Sequence, residues 1–67
     1  MKKFHVGQLY LLVENSFFDK IFYEQNTLFT LIHYLEYGRY AEIVFLSQDL
    51  KIVNKYTTKI WFDRKFV

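Results

Sequence analysis

The sequence predicts a small all-β domain in which five antiparallel strands close into a barrel. The first observation is residues 28–46, LFTLIHYLEYGRYAEIVFL, which are rich in the aromatic and β-branched types that pack well on a pleated surface. The second is Gly38 within that segment, because glycine adopts the positive φ that a tight hairpin turn requires. The third is composition, since 67 residues with 22% aromatics suffice for one domain, residues 1–67, with a dense core.

The segment 28–46 is expected to form a hairpin with its turn at residues 37–39. Its first arm has an alternative, because leucine and isoleucine recur at helical spacing within residues 28–37. A helix there would give an α+β fold. Residue type and the strand-like run after Gly38 favour the hairpin.

Residues 15–26 are a second ambiguous segment. Ser16-x-x-Asp19 resembles a helix capping box, so a helix at 16–25 is again an α+β alternative. The segment is short and is flanked by strand signals. We therefore prefer a long aromatic loop with a short strand at Ile21–Tyr23.

Three further strands complete the barrel, over residues 8–14, 50–56 and 59–63. Both faces of the first are apolar, as expected of a central strand. Short breaks at 47–49 and 57–58 separate the later strands. The residues expected in the core are Leu11, Val13, Leu31, Ile43, Phe45, Ile52 and Ile60.

Five short strands, one long early loop and tight later turns resemble the layout of small SH3-like barrels over residues 6–63. The resemblance implies a barrel that acts by binding. Recognition of proline peptides is not implied, because the chain has no proline and Trp61 stands near the end instead of opening a strand. The small size and the Lys-, Asn-, Tyr- and Phe-rich composition are similar to phage-type accessory proteins, which implies docking on a host or viral protein.

The sequence contains no motif for catalysis or for a metal. It has no cysteine, and the two histidines, His5 and His33, stand far apart without an acidic cluster. Ser16 and Ser47 lie outside any nucleophile motif, and the two glycines are isolated. We therefore expect a protein that is not an enzyme, with no catalytic residue, no cofactor and no metal.

Apolar segments are too short for a membrane span, and no signal peptide is recognisable. We therefore expect no membrane partner. The absence of cysteine fits a reducing compartment, so the expected location is cytoplasmic.

The preferred binding site is for a protein partner. Residues 15–26 hold more aromatic surface than their length can easily bury, and Arg39 stands between two tyrosines at the hairpin tip. Such residues are enriched at protein interfaces. The site is assigned to Phe17, Tyr23, Tyr37, Arg39 and Tyr40.

The alternative partner is nucleic acid. The net charge is +2, yet residues 51–67 carry five basic side chains and one acidic side chain. Lysines beside an exposed aromatic ring can hold phosphates while the ring stacks on a base. This site is assigned to Lys51, Lys55, Lys59, Trp61 and Arg64. Self-association through an exposed strand edge is a third hypothesis.

Overall fold

The structure is a computed structural model that describes residues 4–67, and this part of the chain forms six strands and one helix. The strands are β1 (Leu9–Leu11), β2 (Ser16–Phe18), β3 (Ile21–Tyr23), β4 (Leu28–Tyr37), β5 (Tyr40–Ser47) and β6 (Ile52–Thr58), and the helix is α1 (Lys59–Lys65). One antiparallel sheet has the order β1-β4-β5-β6, and β2 and β3 form a separate two-stranded sheet. The predicted β character is confirmed, with one short helix added.

The predicted hairpin over 28–46 is confirmed as β4 and β5. Tyr37 pairs with Tyr40, and Gly38 has a φ of 61° while Arg39 does not have a positive φ, which is the pattern of a type II′ turn. The alternative helix at 28–37 is wrong, because β4 is held between β1 and β5. A β-bulge at Ile32 shifts the register, so side chains beyond it change face.

The second ambiguous segment is a short hairpin. The expected strand at Ile21–Tyr23 is confirmed as β3, and it pairs with β2. The alternative helix at 16–25 is wrong, because Asp19 and Lys20 have φ values of 52° and 67°, the pattern of a type I′ hairpin turn. Ser16 does not cap a helix, since its hydroxyl donates to the Glu14 carbonyl at 3.1 Å.

The core lies between the four-stranded sheet on one side and β2, β3 and α1 on the other. It is dominated by rings, with Phe18 packing edge-on against Phe45 at 5.4 Å and Phe62 stacking on Phe66 at 4.5 Å between centroids. The buried apolar residues are Tyr10, Leu12, Phe18, Tyr23, Phe29, Leu31, Ala41, Ile43, Phe45, Val53, Phe62 and Phe66.

The predicted core is confirmed at Leu31, Ile43 and Phe45. Leu11 and Val13 are only half-buried, because β1 turns the opposite set of side chains inward. The strand β1 is also shorter than the expected 8–14. It pairs Tyr10 with the buried Phe29 and thereby places Tyr10 in the core.

Three predictions for the last third of the chain are wrong. The expected strand at 59–63 is helix α1, whose Phe62 faces the core, as does Phe66, the residue that follows the helix. Ile60 is consequently 47% exposed. Ile52 is exposed because β6 pairs Val53 with Phe45 and so turns Val53 inward.

The predicted closure into a barrel is not seen. In the described residues β1 and β6 lie at opposite ends of the sheet and do not pair with each other. The strand β6 runs on through Thr58, so the expected break at 57–58 is absent. Residues after α1 return to β1, where Leu11 and Val67 exchange two backbone hydrogen bonds of 2.8 and 2.9 Å.

Candidate protein-binding face

One face of the four-stranded sheet is turned away from β2, β3 and α1, and we name it the outer face. Alternation along β5 defines it, because Ala41, Ile43 and Phe45 are buried in the core and the residues between them point the other way. No element of residues 4–67 lies over this face. Its side chains are therefore half-buried or exposed.

The outer face is largely apolar. The solvent side of an antiparallel sheet ordinarily carries polar residues that alternate with the core residues. Here the apolar side chains on that side are Leu9, Leu11, Leu28, Leu35, Tyr37, Tyr40, Val44, Leu46, Ile52 and Tyr56. A contiguous surface of this kind on a small protein marks an interaction site.

A cluster of three tyrosines forms one end of the outer face, and we name it the tyrosine patch. The rings of Tyr40 and Tyr56 stack at 5.8 Å with 17° between their planes, and Tyr37 lies 6.3 Å from Tyr56. All three are exposed, Tyr56 at 63%. Arg39, also exposed, occupies the turn between Tyr37 and Tyr40.

A groove of about 370 Å³ lies at the opposite end of the outer face, and we name it the leucine groove. Its apolar walls come from three strands and one turn, and they are formed by Leu9, Leu28, Leu46 and Leu50.

Leu50 has an unusual backbone for its residue type. Its φ is 65°, a left-handed conformation in which glycine is the preferred residue of a three-residue hairpin loop. The turn is fixed around it, because Leu50 N–H donates to the Ser47 carbonyl at 3.0 Å and Lys51 N–H donates to the Ser47 hydroxyl at 3.1 Å. The Ser47 hydroxyl donates in turn to Asp49, and this holds the pKa of the Asp49 carboxyl below its usual range. The Leu50 side chain is 77% exposed.

The charge on the outer face is confined to one pair. His33 Nε2 lies 2.9 Å from Glu42 Oε1, between the tyrosine patch and the leucine groove. Among the strand residues of this face that the structure describes, His33 and Glu42 are the two with a basic or acidic side chain. The strands of this face therefore present mainly apolar and aromatic side chains to solvent.

The residues that the sequence predicts to bind a protein partner do not all lie together in the structure. Tyr37, Arg39 and Tyr40 lie together at the hairpin tip. Phe17 is 70% exposed but lies on the β2–β3 hairpin, packed against Phe22 at 5.3 Å, in the other layer of the molecule.

Tyr23 belongs to the core, and its expected exposure is wrong. Its ring packs against Phe18 at 5.5 Å and against Phe29 at 5.2 Å, because β3 turns this residue toward the four-stranded sheet. The Tyr23 hydroxyl is buried and has no hydrogen-bond partner in the described part of the chain. It is therefore not available to a partner at the surface.

Tyr56 is the residue of the tyrosine patch that the sequence analysis missed. Strand alternation alone places it on the same face as Ile52 and Asn54. Its position beside Tyr40 depends on the register between β5 and β6, which pairs Tyr40 with Thr58 and Glu42 with Tyr56. No local sequence signal gives that register.

Two of the lysines assigned to nucleic acid lie beside acidic side chains, and a third lies over the assigned aromatic ring. Lys51 Nζ lies 3.7 Å from Asp49 Oδ2, and Lys59 Nζ lies 3.9 Å from Glu36 Oε1. Lys55 Nζ lies 5.4 Å from the centre of the Trp61 ring. That ring is half-buried against the core, and Arg64 stands exposed on α1.

In comparisons with known proteins, no family model, no curated protein and no solved structure matches the chain. Within residues 4–67, no group of three or more His, Cys, Asp or Glu side chains is arranged to hold a metal ion. The helix of this region is too short to cross a membrane, and it is the one helix described.

Proposed function

We propose that the chain is a non-enzymatic binding module that docks a protein partner on its outer face. The observation that carries the proposal is the uncovered, apolar sheet face that ends in the tyrosine patch. Tyrosine is enriched among the residues that dominate binding energy, because its ring buries a large area with little loss of side-chain freedom. A phage-type accessory protein that acts in the cytoplasm on a host or viral protein remains part of this proposal.

Leu50 supports the proposal independently of the tyrosine patch. A left-handed backbone costs a residue with a side chain about 1–2 kcal/mol, and glycine avoids that cost. Leu50 accepts this conformation and still exposes most of its side chain to solvent. Backbone strain of this kind concentrates at functional sites, and we infer that the Leu50 side chain contacts the partner.

The first prediction separates binding from stability at Leu50. Leu50→Gly should raise the free energy of unfolding by about 1 kcal/mol, because glycine relieves the left-handed strain. The same substitution should weaken capture of the partner from a lysate of the source cell, because it removes the Leu50 side chain that lines the leucine groove. Tyr56→Ala should weaken capture as well, and loss of its stack on Tyr40 should lower the free energy of unfolding by no more than about 1 kcal/mol.

Phe17→Ala is the matched control, because it removes an equally exposed ring from the other layer of the molecule. Capture should survive both this substitution and treatment of the lysate with nuclease. Capture that depends on Phe17 but not on Tyr56 would move the site to the β2–β3 hairpin. Capture that nuclease abolishes would favour the nucleic-acid alternative.

A further inference from the structure

The strand β6 is the open edge of the four-stranded sheet. It pairs with β5 on one side and has no strand on its other side among the described residues. The opposite edge is less accessible, because β1 has three residues and Leu11 already bonds with Val67. A strand of seven residues with unpaired backbone groups is a ready site for another strand.

Two hydrogen bonds that flank β6 show which of its backbone groups are free. Ser47 N–H donates to the Lys51 carbonyl at 2.9 Å, and Lys59 N–H donates to the Arg39 carbonyl at 3.0 Å. Bonding alternates along an antiparallel pair, so the odd-numbered residues of β6 bond with β5. The N–H and C=O groups of Ile52, Asn54 and Tyr56 therefore point outward along the open edge.

We propose that a second copy of this chain pairs antiparallel along β6, with Asn54 facing its own counterpart on a twofold axis. This register places Ile52 of each copy opposite Tyr56 of the other, a favourable cross-strand pair. Both side chains are exposed on the outer face of the single chain. The outward groups of the three residues then form about six N–H···O bonds across the axis.

The other symmetric registers are less favourable. A register centred on Lys55 places two lysines directly opposite, at the closest approach that an antiparallel pair allows, and like charges there are destabilising. A register centred on Tyr56 carries Ile52 past the end of the partner's strand and leaves its exposed side chain without an opposite residue. Only the Asn54 register pairs both exposed apolar side chains of β6.

Lys55 does not block the edge in the Asn54 register. A lysine on an edge strand commonly prevents pairing with another strand. Here Lys55 is half-buried, and its Nζ lies over Trp61 of its own chain, on the inner side of the sheet. Its opposite residue in the second copy is Val53, which is uncharged.

The pairing is compatible with the proposed protein-binding function, although Tyr56 of the tyrosine patch takes part in both. A twofold axis perpendicular to the sheet keeps both outer faces on the same side, and both stay uncovered. The paired edge buries less than the roughly 1,600 Å² of a standard interface, so the dimer should be weak and concentration-dependent. Variants of Leu50 that lose the protein partner should still dimerise, because their outward β6 groups are unchanged.

Sedimentation equilibrium of the full chain up to about 1 mM tests the pairing. The unsubstituted protein should shift from monomer to dimer across the series. Asn54→Pro removes the outward N–H of residue 54 and leaves every hydrogen bond to β5 in place. Because an edge strand tolerates proline at such a position, this variant should stay folded. It should be monomeric, because the bond that its N–H would make across the axis is lost. Asn54→Ala is the matched control, because it keeps the N–H and should still dimerise.

A charge swap at the same position tests the register without altering the backbone. Asn54→Lys and Asn54→Glu should each be monomeric, because each places like charges on the twofold axis. An equal mixture should form the heterodimer, which sedimentation equilibrium detects as a mass of two chains that neither variant reaches alone. An unsubstituted protein that stays monomeric up to about 1 mM would overturn the proposal and leave the edge to a strand of another protein. A dimer that survives Asn54→Pro, or a charge pair that does not restore dimerisation, would also overturn it.

Discussion

At the scale of single residues, the backbone of the turns carries the clearest departures from ordinary conformation. Four residues other than glycine have a positive φ within residues 4–67, and they are Asp19, Lys20, Asn26 and Leu50. Aspartate and asparagine tolerate this region through local hydrogen bonding, whereas lysine and leucine have no such compensation. Strain is therefore concentrated at Lys20 and Leu50, which lie in turns without a glycine.

Lys20→Gly should stabilise the fold, by about 0.5–1 kcal/mol. The left-handed backbone at Lys20 costs about 1–2 kcal/mol, and the greater freedom of glycine in the unfolded chain offsets part of the gain. Chemical denaturation monitored by circular dichroism measures the change. Lys20→Ala is the control, because it keeps a Cβ and should give no gain. Equal effects of the two substitutions would show that the backbone is not strained there.

Tyr34 makes stability depend on pH in the alkaline range. Burial, together with the hydrogen bond that its hydroxyl donates to Glu36 at 3.1 Å and the charge of that carboxylate, raises the pKa of Tyr34 to about 12. Tyrosine in an unfolded chain loses its proton near pH 10. The unfolded state therefore binds fewer protons than the folded state between about pH 10 and 12, and stability falls as pH rises through that window.

Tyr34→Phe isolates this effect. The variant should lose stability less steeply than the unsubstituted protein between about pH 10 and 12, because it has no proton to retain at this position. Urea denaturation at several pH values gives the two slopes. Parallel slopes would show that Tyr34 ionises at the same pH in the folded and unfolded states.

At the scale of elements, the sequence determines the strands more clearly than the helix. The hairpin of β4 and β5 is readable because residue type and Gly38 agree on it. Helix α1 is not, because Ile60, Trp61 and Phe62 are consecutive and fit a short buried strand as well as a helix. Phe66, which stacks on Phe62, lies beyond residues 59–63. The local sequence pattern does not distinguish helix from strand in this segment. The packing of the Phe62 and Phe66 rings into the core determines that it is a helix.

Substitutions in α1 distinguish the helix from the strand that the sequence predicts. Phe62→Ala should cost about 3–5 kcal/mol, because the side chain is fully buried among core rings. A domain of this size has about 3–5 kcal/mol of stability in total, so the variant should be largely unfolded.

Ile60→Ala is the comparison within the same helix. Ile60 is exposed, so its substitution should change the free energy of unfolding by less than about 0.5 kcal/mol. Thermal unfolding followed by circular dichroism measures both variants. Large losses at both positions would support the strand, because Ile60 and Phe62 would then share one buried face.

At the scale of the whole molecule, the candidate site was only partly predictable. Tyr37, Arg39 and Tyr40 are neighbours along the chain, so local sequence places them together. Tyr56 joins them through pairing of β5 with β6. The bulge at Ile32 also changes which side chains of β4 reach the outer face, and the sequence carries no turn residue or glycine that marks it.

Phe66 and Val67 pack and bond against β1 and the core, and the fold is complete only when they are in place. Phe66 is fully buried, and Val67 bonds with Leu11. Contacts of such long sequence separation form late, because the intervening chain must first be ordered. During synthesis, the core therefore lacks the Phe66 ring until residue 66 has emerged from the ribosome. The nascent chain completes folding only after release of this segment, and until then its aromatic surface is exposed to chaperones and to other chains.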